Sequence, residues 1–209
     1  MAAGFDTNNV LTTKQIQGIK SAGYSWVGRY YSVPGSYKNL TRVEAQALTD
    51  EGIPIVAVFE RGPVNVGWFT QEHAKEDANF GYVHGQVIGQ PTPGHICYSV
   101  DYDASKSDLE PIAEYFTTIH GQLKPNNFLI GAYGSGMVID HLLELGVIDF
   151  SWLSQSTGFA GYGLLPNPDI RQLPTKTITL GGTEIEVDED ELLGTIKGVG
   201  AFLVGKKTV

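Results

Sequence analysis

Apolar residues fall in short runs that alternate with longer stretches of helical spacing. Trp26 to Tyr31, Ile53 to Phe59, His95 to Val100, Phe128 to Tyr133 and Phe150 to Ser154 read as strands, as does the brief start at Gly4-Phe5-Asp6. Several are apolar at odd and even positions alike, which is the pattern of strands buried on both faces. Thr13 to Ala22, Thr41 to about Glu51, Thr70 to Ile88, Ser107 to Leu123 and the stretch from Gly136 to about Leu145 predict helices. Their punctuation is chemical. Thr41 and Glu44 have the spacing of a capping box, Gly23 and Gly52 are stops, and Pro91-Thr92-Pro93-Gly94 breaks the longest helix. After Ser154 the chain turns Gly- and Pro-rich. There Ile170 to Leu173 predicts a short strand, and Thr177 to Val187 a hairpin about Gly181-Gly182.

Strand and helix in alternation imply a parallel sheet covered by helices. With seven or eight strand candidates and no break in composition, residues 1–209 read as one domain. The fold class expected is α/β, a compact (β/α)8 TIM-type barrel with a C-terminal hairpin. At 209 residues it is lean beside the typical length of about 250. An open doubly wound sheet is the alternative.

Polar residues gather at the C-terminal ends of the apolar runs: Asp6, Arg29 with Tyr31, Glu60, Asp101 with Asp103, Tyr133, Gln155 and Gln172. In a barrel those ends form one face, where sites lie. Side chains two apart on a strand point the same way, so Asp101 and Asp103 are expected to share one space, with Asp6 and Glu60 beside them. Carboxylates crowded together repel, so at least one should hold its proton beside an ionised partner. That is the pairing glycoside hydrolysis requires.

Plainer readings stand beside this one. An acid after a strand is as readily a helix cap, and Arg29 could simply neutralise Glu60. Tyr31, Trp68, Tyr98, Tyr102, Tyr133 and Trp152 could stack on sugars or pack in the core. Gly131-x-x-Gly134-x-Gly136 lacks the dinucleotide spacing and reads as a turn into a helix. Asn39-Leu40-Thr41 matches a glycosylation sequon that arises easily by chance. Cys97 reads as a buried thiol. Asp188-Glu189-Asp190-Glu191 reads as a solvated turn, with Asp188 alone carrying a second meaning.

Composition removes other classes. Fourteen Lys and Arg against 23 Asp and Glu give a net charge of −9, which argues against nucleic acid as the main partner and against a polybasic membrane anchor. A single cysteine excludes an internal disulfide framework, and the five His form no HExxH pair. No apolar run is long enough to span a bilayer. The N-terminus lacks a basic segment followed by an apolar one, so no signal peptide is expected in this chain, and location stays open, with secretion or the cell envelope favoured if the substrate is a glycan. No metal or cofactor is called for, and a monomer is expected.

Taken in order, Gly4-Phe5-Asp6-Thr7-Asn8, Gly28-Arg29-Tyr30-Tyr31, Val58-Phe59-Glu60, Ser99-Val100-Asp101-Tyr102-Asp103, Ala132-Tyr133-Gly134-Ser135-Gly136 and Trp152-Leu153-Ser154-Gln155-Ser156 resemble a glycoside-hydrolase-like TIM-barrel family (domain of unknown function 1906). The layout is similar to the lysozymes of glycoside hydrolase family 25, which cleave peptidoglycan. The resemblance implies that Asp6 is the family aspartate ending the first strand and Asp101 the first acid of an Asp-x-Glu pair. It puts Asp103 at the position of the Glu, usually the general acid, one methylene shorter. Gln172 matches the glutamine of a Trp-Gln-Tyr strand, though Arg171 and Leu173 replace its aromatics, and Asp188 matches the aspartate of the following Val-Asp segment.

The sequence thus points to a glycosidase acting on a polysaccharide, peptidoglycan first. Asp103 or Glu60 would be the proton donor. Asp101, with Asp6 or Asp188, would stabilise the intermediate. Arg29, Tyr31, Tyr133, Gln155, Gln172 and Asp188 would hold the sugar. A non-catalytic carbohydrate- or cell-wall-binding barrel is the alternative, and a metal-dependent hydrolase using the same carboxylates is a weaker third.

Overall fold

Eight strands close into a barrel in chain order in the computed structural model, which describes residues 2–62 and 65–205. Strands β1 (Ala2–Thr7), β2 (Trp26–Tyr31), β3 (Ile55–Phe59), β4 (Gly94–Ser99), β5 (Phe128–Gly134), β6 (Phe150–Leu153) and β7 (Ile170–Leu180) run parallel. Strand β8 (Thr183–Leu192) returns antiparallel to both β7 and β1 and closes the ring. The closed ring excludes the open doubly wound sheet. Helices α1 (Thr13–Gly18), α2 (Arg42–Asp50), α3 (Gln71–Ile88), α4 (Leu109–Leu123) and α5 (Gly136–Glu144) connect the first six strands. Between β6 and β7 stands only a short 3-10 turn at Tyr162–Leu164, and β7 and β8 are the expected hairpin. Replacing the last two helical crossovers in this way is how the barrel closes within so short a chain. The two expected pieces at 170–173 and 177–187 join into this one ribbon, with a register shift between Gln172 and Thr175. Gly181 and Gly182, at φ 56° and 82°, make its two-residue turn, a geometry that requires positive φ at both positions.

The helix starts are capped as their sequences suggest. Thr41 accepts from the backbone N–H of Glu44 (3.1 Å), and Ser135 from that of Val138 (3.3 Å). Glu44 does not complete a capping box, however, because its carboxylate is taken by a buried arginine described below.

Strand alternation sorts the core into two layers. Outward residues such as Phe5, Val27, Ile55, Phe59, Ile96, Ile130 and Ala132 pack under the helices. Inward residues Trp26, Val56, Val58, Cys97, Phe150, Trp152, Ile170 and Leu192 fill the barrel, with Val199 and Ala201 at its base. Cys97 is fully buried among them. Two large aromatics, Trp26 and Trp152, fit inside only because their neighbours lack side chains. A Cβ at Gly4 would lie 2.1 Å from the Trp26 ring, and one at Gly28 would lie 2.7 Å from Trp152 and 2.8 Å from Asp6. Above this apolar plug, at the C-terminal ends of the parallel strands, the inward positions turn polar.

Candidate functional site

The polar layer surrounds a cavity of about 180 Å³ lined by Asp6, Tyr30, Glu60, Asp101, Tyr133 and Asp188, with Trp152, Gln155 and Gln172. A second lobe of about 160 Å³ shares Asp6, Tyr30 and Asp188 and opens toward Asn8, Asn9, Thr175 and Glu186. Each lobe is smaller than the roughly 300–1,000 Å³ of a drug-sized ligand pocket, so each suits a single ring.

Asp6 sits at the bottom, 2% exposed. Its Oδ1 accepts from the Tyr30 hydroxyl (2.7 Å) and its Oδ2 from Gln172 Nε2 (2.8 Å). Gln172 is turned that way because its Oε1 accepts from the Tyr133 hydroxyl (2.8 Å). Burial and then the charge of Asp188, its cross-strand partner on β8, push the Asp6 carboxyl from 3.8 to about 7, against the pull of its two donors. Tyr30 is itself pushed well above the ordinary phenol value by burial and by Asp6, so it remains a donor.

Asp190, also on β8, lies beneath. Trp152 Nε1 donates to its Oδ1 (2.9 Å), while its buried Oδ2 has no hydrogen-bond partner among the described residues. Burial and the neighbouring Asp6 hold its carboxyl well above the usual carboxylate range. Asp6 has two donors and Asp190 one, so of the two Asp6 gives up its proton first as pH rises.

Higher in the wall, Glu60 pairs with Lys38. Asp188 accepts from the Thr175 hydroxyl and from Gln155 Nε2 (3.4 Å). Asp101 stands exposed at the mouth. Desolvation and then the Glu60 charge raise its carboxyl, with Lys38 opposing.

Of the residues expected from the sequence, Asp6, Glu60, Asp101, Tyr133, Gln155, Gln172 and Asp188 meet here. Asp103 does not. Strand β4 ends at Ser99 and the chain turns, with Ala104 N bonded to Tyr102 O (2.9 Å), so two-residue periodicity no longer applies. Asp103 is exposed and accepts from Ala160 N (2.8 Å). Arg29 and Tyr31 also lie elsewhere, because they alternate with inward Tyr30. Arg29, fully buried, gives Nε and Nη2 to Glu44 (2.7 and 3.1 Å). Tyr31 donates to Gln90 Oε1 (2.9 Å). Glu60 is therefore neutralised by Lys38, not Arg29.

Of the candidate sugar-stacking rings, Tyr133 and Trp152 reach the cavity. Trp68 stacks on His73, while Tyr98 is buried and Tyr102 packs on Phe69. The acidic run at 188–191 is strand, not turn. Asp188 and Asp190 face in, whereas Glu189 and Glu191 pair outside with Lys176 (2.5 Å) and Arg171 (3.6 Å). Sequence reasoning missed Tyr30, Lys38 and Asp190; the alternation Glu184-Ile185-Glu186-Val187 running into the acids was the available signal for the last. Among the described residues no group of three or more His, Cys, Asp or Glu is set to hold a metal ion, and no helix is long and apolar enough to cross a membrane.

The same barrel occurs in solved structures. The Mycobacterium tuberculosis Tat-secreted protein Rv2525c, crystallised with L-tartrate, superposes with a TM-score of 0.78 at 21% identity, over 96% of this chain and 98% of that one. A lysozyme from Streptomyces coelicolor matches with a TM-score of 0.58 at 14% identity, over 93% of each chain. In sequence, the uncharacterized protein FadG of Bacillus subtilis is 29% identical over 94% of this chain. That match covers 36% of FadG, so the chain spans about a third of its relative's length. The Rv2525c-like, glycoside hydrolase-like domain model matches residues 17–192, and the chain belongs to that family.

Proposed function

We propose that the chain is a glycoside hydrolase acting on a polysaccharide of the cell envelope, with peptidoglycan as the substrate. The observation that carries this is the convergence of Asp6, Glu60, Asp101 and Asp188, from four separate stretches of chain, on one pit at the C-terminal end of the barrel. Asp101 is the proton donor: it stands at the mouth and its carboxyl is raised. Glu60, charged against Lys38, and Asp6 with Asp188 supply the negative field that favours an oxocarbenium-like transition state. Tyr133 offers its ring, and Gln155 and Gln172 polar contacts, to a single sugar above the buried Trp152. The likeness to a bacterial lysozyme supports the substrate, and the secretion of Rv2525c supports the envelope as the place of action.

One observation favours a second reading. The displacement of Asp103 removes one member of the expected acid pair, which suits a barrel that binds saccharide without cleaving it. Turbidity and reducing-end release from purified cell walls separate the two. The wild-type chain should clear walls and Asp101→Asn should lose at least about 100-fold in rate, the usual contribution of a general acid. Equal rates would refute the assignment of Asp101, and retention on walls without release of reducing ends would favour the binding barrel.

A further inference from the structure

The residues lining the pit are neutral or acidic, and Arg29 is committed to Glu44 on the other side of β2. The positive charge beside the pit comes instead from the loop joining β2 to α2. Lys38 pairs with Glu60 and places its ammonium 5.4 Å from the centre of the Tyr30 ring. Its side chain is 11% exposed and that of Glu60 20%, so both have given up most of their water. The loop is built to hold this arrangement. Ser36 N bonds to Val33 O (3.1 Å), Asn39 N to Ser36 O (3.2 Å) and Leu40 N to Tyr30 O (2.8 Å), while Asn39 Nδ2 also donates to Val33 O (2.9 Å). These turns send Tyr37 outward, 74% exposed, and Lys38 inward.

We propose that Lys38 is a positioning residue of the pit. It draws the Glu60 carboxylate to one side, leaving Asp101 facing the sugar space with no ion pair among the described residues, and it clamps the Tyr30 ring so that its hydroxyl stays on Asp6. The catalytic consequence rests on the glycosidase reading; the electrostatic one does not. The groups that face the pair are Asp6 on β1, Tyr30 on β2, Asp101 after β4, Tyr133 on β5 and Asp188 on β8, so no other cation among them would replace Lys38. Lys38 already opposes the upward push on Asp101, to which Glu60 contributes.

Carboxyl-carbon NMR titration of the whole chain reads the effect without substrate. In Lys38→Met the Asp101 midpoint should rise by about half a pH unit, the influence of one charge several ångströms away in a wet site, whereas Lys38→Arg should restore it. An unmoved midpoint, or an Arg variant that shifts as far as Met, would overturn the proposal. Should Lys38→Met not fold, Glu60→Gln probes the same arrangement from the other side: Asp101 must then titrate lower, and no change overturns the proposal. Wall clearing provides a second readout. The pH profile of Lys38→Met should move upward by the same amount, with kcat reduced and KM little changed. A wild-type chain that clears no walls removes the glycosidase reading, while the titration still decides the role of Lys38.

Discussion

Replacing Asp6 by Asn tests whether the pit stores electrostatic cost in the folded state. Asp6 is 2% exposed, and its carboxyl rises from 3.8 to about 7 on folding. A raised carboxyl favours the folded chain only while it is protonated. As pH climbs past the unfolded value the unfolded chain ionises first, so stability falls between about pH 4 and about pH 7 and is level above. The full span is about 4 kcal/mol, and the part crossed between about pH 5 and about pH 8 is about 2.5 kcal/mol. Asn cannot ionise and escapes this loss. It does leave one donor facing its own amide, either Gln172 Nε2 or the Tyr30 hydroxyl, at a cost of about 1 kcal/mol that does not depend on pH. Urea unfolding of both chains at the two pH values separates the terms. The stability difference should move in favour of Asp6→Asn by about 2.5 kcal/mol on going to the higher pH. A difference that stays constant would show that the folded chain does not hold the Asp6 carboxyl above the usual carboxylate range.

Two further substitutions probe the scaffold. Glu44→Gln leaves the fully buried Arg29 guanidinium without its counter-charge and should lower stability by about 3–5 kcal/mol in urea melts; a loss below about 1 kcal/mol would contradict the buried pair. Gly28→Ala drives a methyl into Trp152 and Asp6 and should cost about 1–3 kcal/mol in thermal unfolding, whereas Gly121→Ala, where nothing lies within 4 Å, should stabilise α4 by about 0.5–1 kcal/mol.

The barrel was legible because burial on both faces leaves a plain mark: Ile53 to Phe59 and Phe128 to Tyr133 are apolar without alternation, and Thr41 and Ser135 cap as their types dictate. The site was legible wherever an acid or amide ended an inward column, as at Asp6, Glu60 and Gln172. It was illegible where the direction of a side chain depended on the exact strand end. Asp103 lies beyond the end of β4, and a step of two residues there says nothing about facing. Arg29 and Tyr31 drew notice as polar residues near a strand end, yet the inward position between them belongs to Tyr30. Asp190 was hidden by its neighbours, since four acids in succession look solvated until strand pairing turns alternate ones inward. Lys38 could not be found from strand pattern at all, because a loop carries it to Glu60.

The claim that the pit holds one sugar ring with a glycosidic bond at Asp101 is tested most directly by a crystal structure of the Asp101→Asn chain soaked with a peptidoglycan fragment. The geometry described above predicts a ring in the pit over Trp152 and Tyr133, with its bridging oxygen within hydrogen-bond reach of residue 101. A fragment bound away from Asp6, Glu60 and residue 101 would contradict it.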